Sequence, residues 1–450
     1  MRFIPLILIA LSGLSVPSEK VFASESQTVL LDTQATEEQS AALSPWSIHG
    51  QSTFALQWHP AFQAAYTGPN SLSKNADHEE TTDVTLYIGR KLWSGAEFYI
   101  NPEYDQGFGL NNTLGLAGFS SGEAYKIGNK SPYFRLPRAF IRQTIDLEGS
   151  RVELDDQANQ VAGNASSNNI VITIGKFSVV DIFDTNKYAH DPRVDFLNWS
   201  AVDAGAFDYA ADAWGFSAGA AVEWNQDWWT LRSGLFSLSS VPNSTNLDLS
   251  FQQFQLVEEM EERHQLNGSD GKLKALVFLN RANLGTYQDA LALNPSDPDT
   301  GLVRSFKNHY GVALNFEQEI TPMLGVFAKF SWNDGLVEAE EFTEINQSFA
   351  VGLSMKGNSW KRHQDHFGII EIVNSLSNDA KQYFRAGGMG ILIGDGQLNY
   401  GNETITEIYY NLALNKNLNI STDYQYVLNP AYNKDRGPVH LIGFRVRANF

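Results

Sequence analysis

The chain has 450 residues, no cysteine and a formal net charge of −19. Nucleic-acid binding needs a basic footprint, so this charge argues against a nucleic-acid partner, and a fold without cysteine does not rely on disulfide bonds. Aromatic residues make up 12% of the chain and there are 36 glycines, which favours strands and turns over helices.

The N-terminus has the pattern of an export signal. Arg2 precedes an apolar run at residues 3–16, and small residues at positions 21 and 23 suit cleavage before Ser24. The run is too short to span a bilayer, which favours a cleaved signal peptide over residues 1–23, although an uncleaved anchor is the alternative. Residues 24–45 are polar and acidic and predict a flexible leader. No break in composition divides residues 46–450, which we expect to form one domain.

From residue 46 onward, apolar residues recur at every second position. Side chains along a strand point alternately to opposite faces, so each such segment has one apolar and one polar face. At the C-terminus, Ile442, Phe444, Val446 and Phe450 alternate with polar residues that include two arginines. The pattern predicts about sixteen strands, an even number, as in bacterial outer-membrane barrels. The segments lie at residues 48–58, 84–88, 96–100, 140–145, 170–174, 216–224, 229–231, 254–260, 273–279, 310–316, 324–332, 349–355, 367–373, 408–414, 418–428 and 442–450.

The connections between these segments alternate in length. Short ones hold turn residues, as at 93–95, 267–271 and 415–417, whereas those at 107–131 and 179–213 are long. This layout predicts an all-β, antiparallel transmembrane barrel with short periplasmic turns and long extracellular loops. A soluble β-sandwich or propeller also has alternating strands, but the export signal, the loop lengths and the terminal Phe450 favour the barrel. Phe450 also predicts recognition by the barrel-assembly machinery through the last strand.

If the apolar register faces lipid, charged residues of both signs line the lumen. Candidate pore-lining residues on strands are Glu97, Glu103, Asp105, Arg138 and Arg142. A pore that selects ions would show one dominant sign, so the mixed lining favours neutral, hydroxyl-rich solutes. Alternatively, these charges pair across the wall and stiffen it.

The densest group of functional side chains lies at residues 181–199, followed by 203–215. This segment is longer than a turn requires, and we expect it to fold into the lumen, where Arg138 and Arg142 are the nearest cations for its acids. The alternative is an exposed loop. The candidate pore-lining residues of segments 181–199 and 203–215 are Asp181, Asp184, Asp191, Arg193, Asp195, Trp199 and Asp208.

Signals for catalysis are weak. The sequence GFSSG at 118–122 fits a nucleophile motif but lies in a glycine-rich loop without the strand-to-helix turn that the motif requires. His190 lies beside Asp191, and no nucleophile is placed with them. We therefore expect no enzyme activity, no metal site and no cofactor.

Five segments carry a resemblance to a known family. They are DQGFGLNNTLGLAGFSSGEAYKIG (105–128), SPYFRLPRAFIRQTI (131–145), GKFSVVDIFDTNKYAHDPRVDFLNW (175–199), FDYAADAWG (207–215) and NPAYNKDRGPV (429–439). With them the chain resembles the carbohydrate-selective porins of the OprB family from about residue 46 to 450. The resemblance implies a sixteen-stranded barrel through which sugars diffuse into the periplasm, with a constriction lined by arginines and acids. Arg138 and Arg142 lie on the strand that resembles the source of those arginines.

The resemblance also implies a location and partners. The location is the outer membrane of a Gram-negative bacterium. The partners are sugars or similar neutral solutes, outer-membrane lipid and lipopolysaccharide. The resemblance is also compatible with a homo-oligomer. Two other functions stay open: a general diffusion pore without sugar preference, and an export channel for polysaccharide.

Overall fold

The computed structural model describes residues 44–124 and 128–450, so the predicted signal peptide and the leader up to residue 43 lie outside the described residues. The strands are β1 Trp46–His59, β2 Asp77–Trp93, β3 Ala96–Gly107, β4 Asn129–Asp146, β5 Arg151–Leu154, β6 Gly163–Ser166, β7 Asn169–Phe177, β8 Ser217–Gln226, β9 Trp229–Ser237, β10 Phe254–Leu266, β11 Ser269–Leu284, β12 Ser305–Thr321, β13 Leu324–Asn333, β14 Gln347–Gly357, β15 Arg362–Ser375, β16 Glu403–Asn415, β17 Leu418–Leu428 and β18 Val439–Asn449. The helices are α1 Trp199–Val202, α2 Tyr287–Leu293 and α3 Asn378–Arg385, with 3-10 turns at Leu110–Thr113, Val179–Asp181, Thr300–Leu302, Asn358–Trp360 and Pro430–Tyr432. No helix in the described ranges is long and apolar enough to cross a membrane.

Sixteen strands of the described chain form one closed antiparallel barrel, which confirms the predicted fold class. The remaining two, β5 and β6, pair only with each other, in the connection between β4 and β7. The barrel closes where β1 pairs with β18, from Gln51 opposite Asn449 to Trp58 opposite Ile442. Closure gives each of the sixteen barrel strands two neighbours, so the barrel in the described chain has no unpaired sheet edge facing lipid.

The predicted registers are confirmed on the outer wall. Ile48, Ile174, Val351 and Ile442 project outward, with 62%, 58%, 46% and 47% of their surface exposed. The alternate positions point inward and are largely polar; Arg445 on β18, for example, is only 1% exposed. An apolar outer face and a polar inner face are what a barrel in a bilayer requires.

One end of the barrel, here called the turn end, carries tight connections. Residues 94–95, 267–268 and 416–417 join neighbouring strands there. Asn267 and Gly268 have φ of +53° and +81°, the left-handed pair that a two-residue hairpin favours. The opposite, loop end carries the long connections, and exposed tryptophans mark both ends, such as Trp93 at the turn end and Trp58 at the loop end.

The connection from β4 to β7 departs from this alternation. It lies at the turn end, yet it runs over residues 147–168 and contains the β5–β6 hairpin. The sequence pattern at this end predicts short turns, and this connection is the exception. It contributes to the site described below.

Candidate pore constriction

The inner face of β4 carries three arginines because of a bulge. Arg135 pairs with Glu103 of β3 and Arg138 pairs with Asn101, so the register shifts between them, beside Pro137. Proline has no N–H for the ladder and is tolerated in a strand at such a bulge. Without the shift, residues three apart would face opposite sides of the wall.

Arg135 is a site residue that strict alternation misses. With Arg138 pointing inward, the period of two assigns Arg135 to the lipid face, whereas it is 8% exposed inside the barrel. Its Nη2 lies 2.8 Å from Glu103 Oε1, and its Nε contacts Asp105. Glu103 and Asp105 of β3 thus form ion pairs with Arg135 of the neighbouring strand β4. Pro137 within the strand was the sequence signal for this arrangement.

Arg138 holds the first residues of the connection between β7 and β8. Its Nε and Nη2 donate to the two carboxylate oxygens of Asp181 at 2.7 and 2.6 Å, and its guanidinium lies 5.0 Å from the centre of the Phe216 ring. Asp181 also accepts a hydrogen bond from the backbone N–H of Ser178 at 3.0 Å. Burial opposes charge on Asp181, but the Arg138 guanidinium and these hydrogen bonds outweigh it and lower the pKa of the carboxyl. The fork between Arg138 and Asp181 is therefore a fixed ion pair.

Residues 178–216, here called the inward loop, contact strands around the whole barrel. Glu259 of β10 accepts the N–H of Asp184 at 2.8 Å, and Glu407 of β16 accepts the N–H groups of Leu197 and Asn198 at 2.5 and 3.0 Å. Wall carboxylates thus satisfy loop donors that would otherwise be buried without a partner.

Wall cations do the same for loop carbonyl groups. Lys329 of β13 donates to the carbonyl oxygens of Ala189 and Val202 at 2.9 and 2.7 Å. Arg445 of β18 donates to that of Asp195 at 2.7 Å. Since the partners lie on strands spread around the barrel, the inward loop fills much of the lumen.

Arg193 connects the inward loop to β2, to β3 and to the connection between β3 and β4. Its guanidinium nitrogens lie 3.5 Å from Asp83, 3.8 Å from Glu103 and 3.3 Å from Glu123. Asp191 shapes this part of the loop by accepting the N–H of Arg193 at 2.9 Å. Asp83 and Glu123 are further site residues that the sequence did not single out.

Two cavities, each of about 310 Å³, meet at Arg138, Asp181 and Arg193. The loop-side cavity is also lined by Glu123, Asp191, Trp199, Asp203, Tyr209, Phe216 and Phe342, among others. The turn-side cavity is also lined by Tyr87, Phe140, Arg142, Asn159, Gln160 and Thr173, among others. The three shared residues therefore separate the two spaces within the lumen, and we call them the constriction.

Comparisons with known proteins agree with this architecture. The family model described as "Carbohydrate-selective porin, OprB family" matches residues 70–450. The chain belongs to the OprB family of carbohydrate-selective porins. No curated protein matches it.

Solved structures share the fold. The high-pH structure of Pseudomonas putida OprB is 16% identical, with 90% of this chain and 94% of that chain covered at a TM-score of 0.67. The low-pH structure of the same protein is 12% identical, with 90% and 93% covered at 0.50. The outer-membrane channel DcaP of Acinetobacter baumannii is 11% identical, with 90% and 97% covered at 0.51.

As an OprB-family porin, the protein is an outer-membrane channel for the passive diffusion of carbohydrates. Of the predicted site residues, six line the two cavities: Arg138, Arg142, Asp181, Asp191, Arg193 and Trp199. The other six take part in contacts of the wall or loop: Glu97, Glu103, Asp105, Asp184, Asp195 and Asp208. Within residues 44–124 and 128–450, Arg142 makes no ion pair with the acids of the inward loop; it donates to the carbonyl oxygen of Asn159, in the β4–β7 connection, at 2.9 Å.

Proposed function

We propose that the constriction formed by Arg138, Asp181 and Arg193 selects small saccharides as they diffuse through the barrel. The observation that carries this proposal is that the same three side chains border both cavities. A solute that crosses the lumen between these cavities passes all three. Each cavity is at the small end of the usual range for ligand sites, which suits a monosaccharide better than a polymer.

The chemistry of the constriction suits a neutral solute rich in hydroxyl groups. Guanidinium groups donate hydrogen bonds and carboxylates accept them, so a sugar hydroxyl finds both kinds of partner. Because Arg138 and Arg193 lie against carboxylates, the charges largely balance and do not favour ions of one sign. Trp199 lines the loop-side cavity but is 3% exposed and stacked 5.4 Å from Phe119. The half-buried rings of Trp214 and Phe216 line the same cavity and supply aromatic surface of the kind that packs on sugar rings.

We also propose how the chain is divided and what surrounds the barrel. Residues 1–23 are a signal peptide removed on export, residues 24–45 an acidic leader and residues 46–450 the barrel. The protein is a channel without catalytic activity, since the sequence places no nucleophile with His190 and Asp191. Lipid and lipopolysaccharide surround the barrel, the assembly machinery recognises its last strand, and a homo-oligomer is compatible with it.

Liposome swelling tests the proposal. Vesicles containing the purified protein are placed in isotonic solutions of monosaccharides, disaccharides and amino acids, and the swelling rates are compared at matched molecular mass. We expect monosaccharides to enter fastest, and Arg138→Ala to reduce the preference for sugars. Arg151→Ala is the matched control, because Arg151 is 63% exposed in its side chain and pairs with Asp146 away from both cavities.

Other outcomes would identify the alternatives. Equal rates for sugars and amino acids of equal mass would indicate a general diffusion porin. Release of a long polysaccharide without entry of small sugars would indicate an export channel.

A further inference from the structure

The turn-side cavity is built in part by the β4–β7 connection. Residues 157–160 of this connection line it, together with inner-face residues of β2, β4 and β7. Arg142 lies four residues beyond Arg138 toward the turn end of β4, so this cavity extends from the constriction toward that end. Its volume of about 310 Å³ leaves room for one monosaccharide.

The tip of this connection is fixed in place. Asn159 has φ of +57°, a left-handed conformation that asparagine tolerates, and its Oδ1 accepts a hydrogen bond from Asn101 Nδ2 at 2.9 Å. The next turn of chain is anchored by Val161, which is 1% exposed and donates its N–H to the Tyr99 hydroxyl at 3.2 Å. The cavity is therefore preformed.

Arg142 points its guanidinium into this preformed space. The group lies over the rings of Tyr99 and Phe140, at 5.1 and 5.4 Å from their centres, and Nη1 donates to Asn159 O at 2.9 Å. Its cross-strand neighbour on β3 is Glu97, whose carboxylate instead accepts a hydrogen bond from the Tyr99 hydroxyl at 2.6 Å. Stacking and one hydrogen bond thus orient the guanidinium and leave other N–H donors for a ligand.

The three arginines that line this cavity differ in their ion-pair partners. Arg138 is paired with Asp181, and Arg193 with Asp83 and Glu123. Among the ion pairs of residues 44–124 and 128–450, none joins Arg142 to a carboxylate. Within the described chain the cavity is lined by three arginines and one aspartate, and of these arginines Arg142 is the one without an ion-paired carboxylate.

We propose that the turn-side cavity is a subsite for a monosaccharide that carries a carboxylate, which Arg142 binds. The carboxylate supplies the planar anion that a guanidinium binds through two hydrogen bonds. The amides of Asn159 and Gln160 and the hydroxyl of Thr173 supply partners for the sugar hydroxyls. The subsite rests on the proposed function, because its ligand reaches it through the same channel.

The test compares three probes of similar size: glucuronate, its neutral amide glucuronamide, and glucose. Their block of single-channel current is measured in planar bilayers with the purified, folded barrel. We expect glucuronate to bind about ten-fold more tightly than glucuronamide, the order of one charge-assisted contact. Arg142→Gln should remove this ratio, and Arg142→Lys should retain part of it. Arg151→Gln, on the same connection but outside the cavity lining, should leave the ratio unchanged.

Each result has a defined meaning. Equal affinity of the wild-type channel for glucuronate and its amide would overturn the subsite. An equal loss for all three probes in Arg142→Gln would also overturn it, since Arg142 would then serve the general sugar path. A channel that shows no preference for sugars in the swelling assay would instead refute the proposed function. Retention of the heat-modifiable barrel in each variant establishes that it is folded.

Discussion

Placing an arginine on the outer wall tests whether the barrel lies in lipid with the register described here. Val351 projects outward from β14 with 46% of its surface exposed, one residue from the middle of the strand Gln347–Gly357. At about 3.3 Å per residue and a tilt of about 40°, eleven residues rise about 25 Å, which matches the apolar band of outer-membrane barrels. Val351 is then about 3 Å from the middle of that band.

The expected cost follows from this depth. An arginine on the lipid face costs about 2–4 kcal/mol at the midplane and about 0–1 kcal/mol near an interface. Val351→Arg should therefore lower the free energy of unfolding by about 2–4 kcal/mol. Met355 lies on the same face of the same strand, about 10 Å nearer the turn end and about 8 Å from the middle of the band, so Met355→Arg should cost less than Val351→Arg.

Guanidinium unfolding of the protein in lipid vesicles measures both values. Val351→Leu is the control for a change of volume without charge, and it should be close to neutral. Equal costs for arginine at the two positions, or a larger cost at Met355, would show that the band is centred elsewhere or that this face does not meet lipid.

Three further predictions concern the terminus, one loop carboxyl and one loop anchor. Deleting Phe450, whose backbone N–H and C=O both pair with β1, should reduce the yield of heat-modifiable barrel more than trimming residues 24–43; equal yields would refute this. Burial and the nearby charge of Asp184 raise the pKa of Asp203 to about 8, so the folded state favours the protonated carboxyl. The free energy of unfolding should therefore fall as pH rises from about 4 through 8. The unfolding midpoints of Asp203→Asn, measured across that range, should lack this fall with pH. Glu407→Ala removes the acceptor of two buried loop N–H groups and should lower the free energy of unfolding by about 1–3 kcal/mol. Proteolysis of the inward loop should be faster and the single-channel conductance larger. Unchanged conductance would show that the loop does not limit the pore.

Local pattern predicted the wall of the barrel but not all of its inner face. Ile442 and Phe444 face outward as the alternation requires, because a strand repeats every two residues. Arg135 faces inward against that rule, since the bulge at Pro137 shifts the register by one residue. The sequence contained the proline, but only its pairing with β3 decides where the shift falls.

The sequence alone determined the strand number, the lipid-facing register and the family, because each is encoded in local alternation or in motifs within the chain. The tertiary structure decided which partners the charged residues take. Leu197 meets Glu407, 210 positions away, and Arg142 meets Asn159 in the long connection between β4 and β7. Such contacts depend on how the closed barrel brings distant strands and loops around one lumen, and alternation within a strand carries no information about that distance.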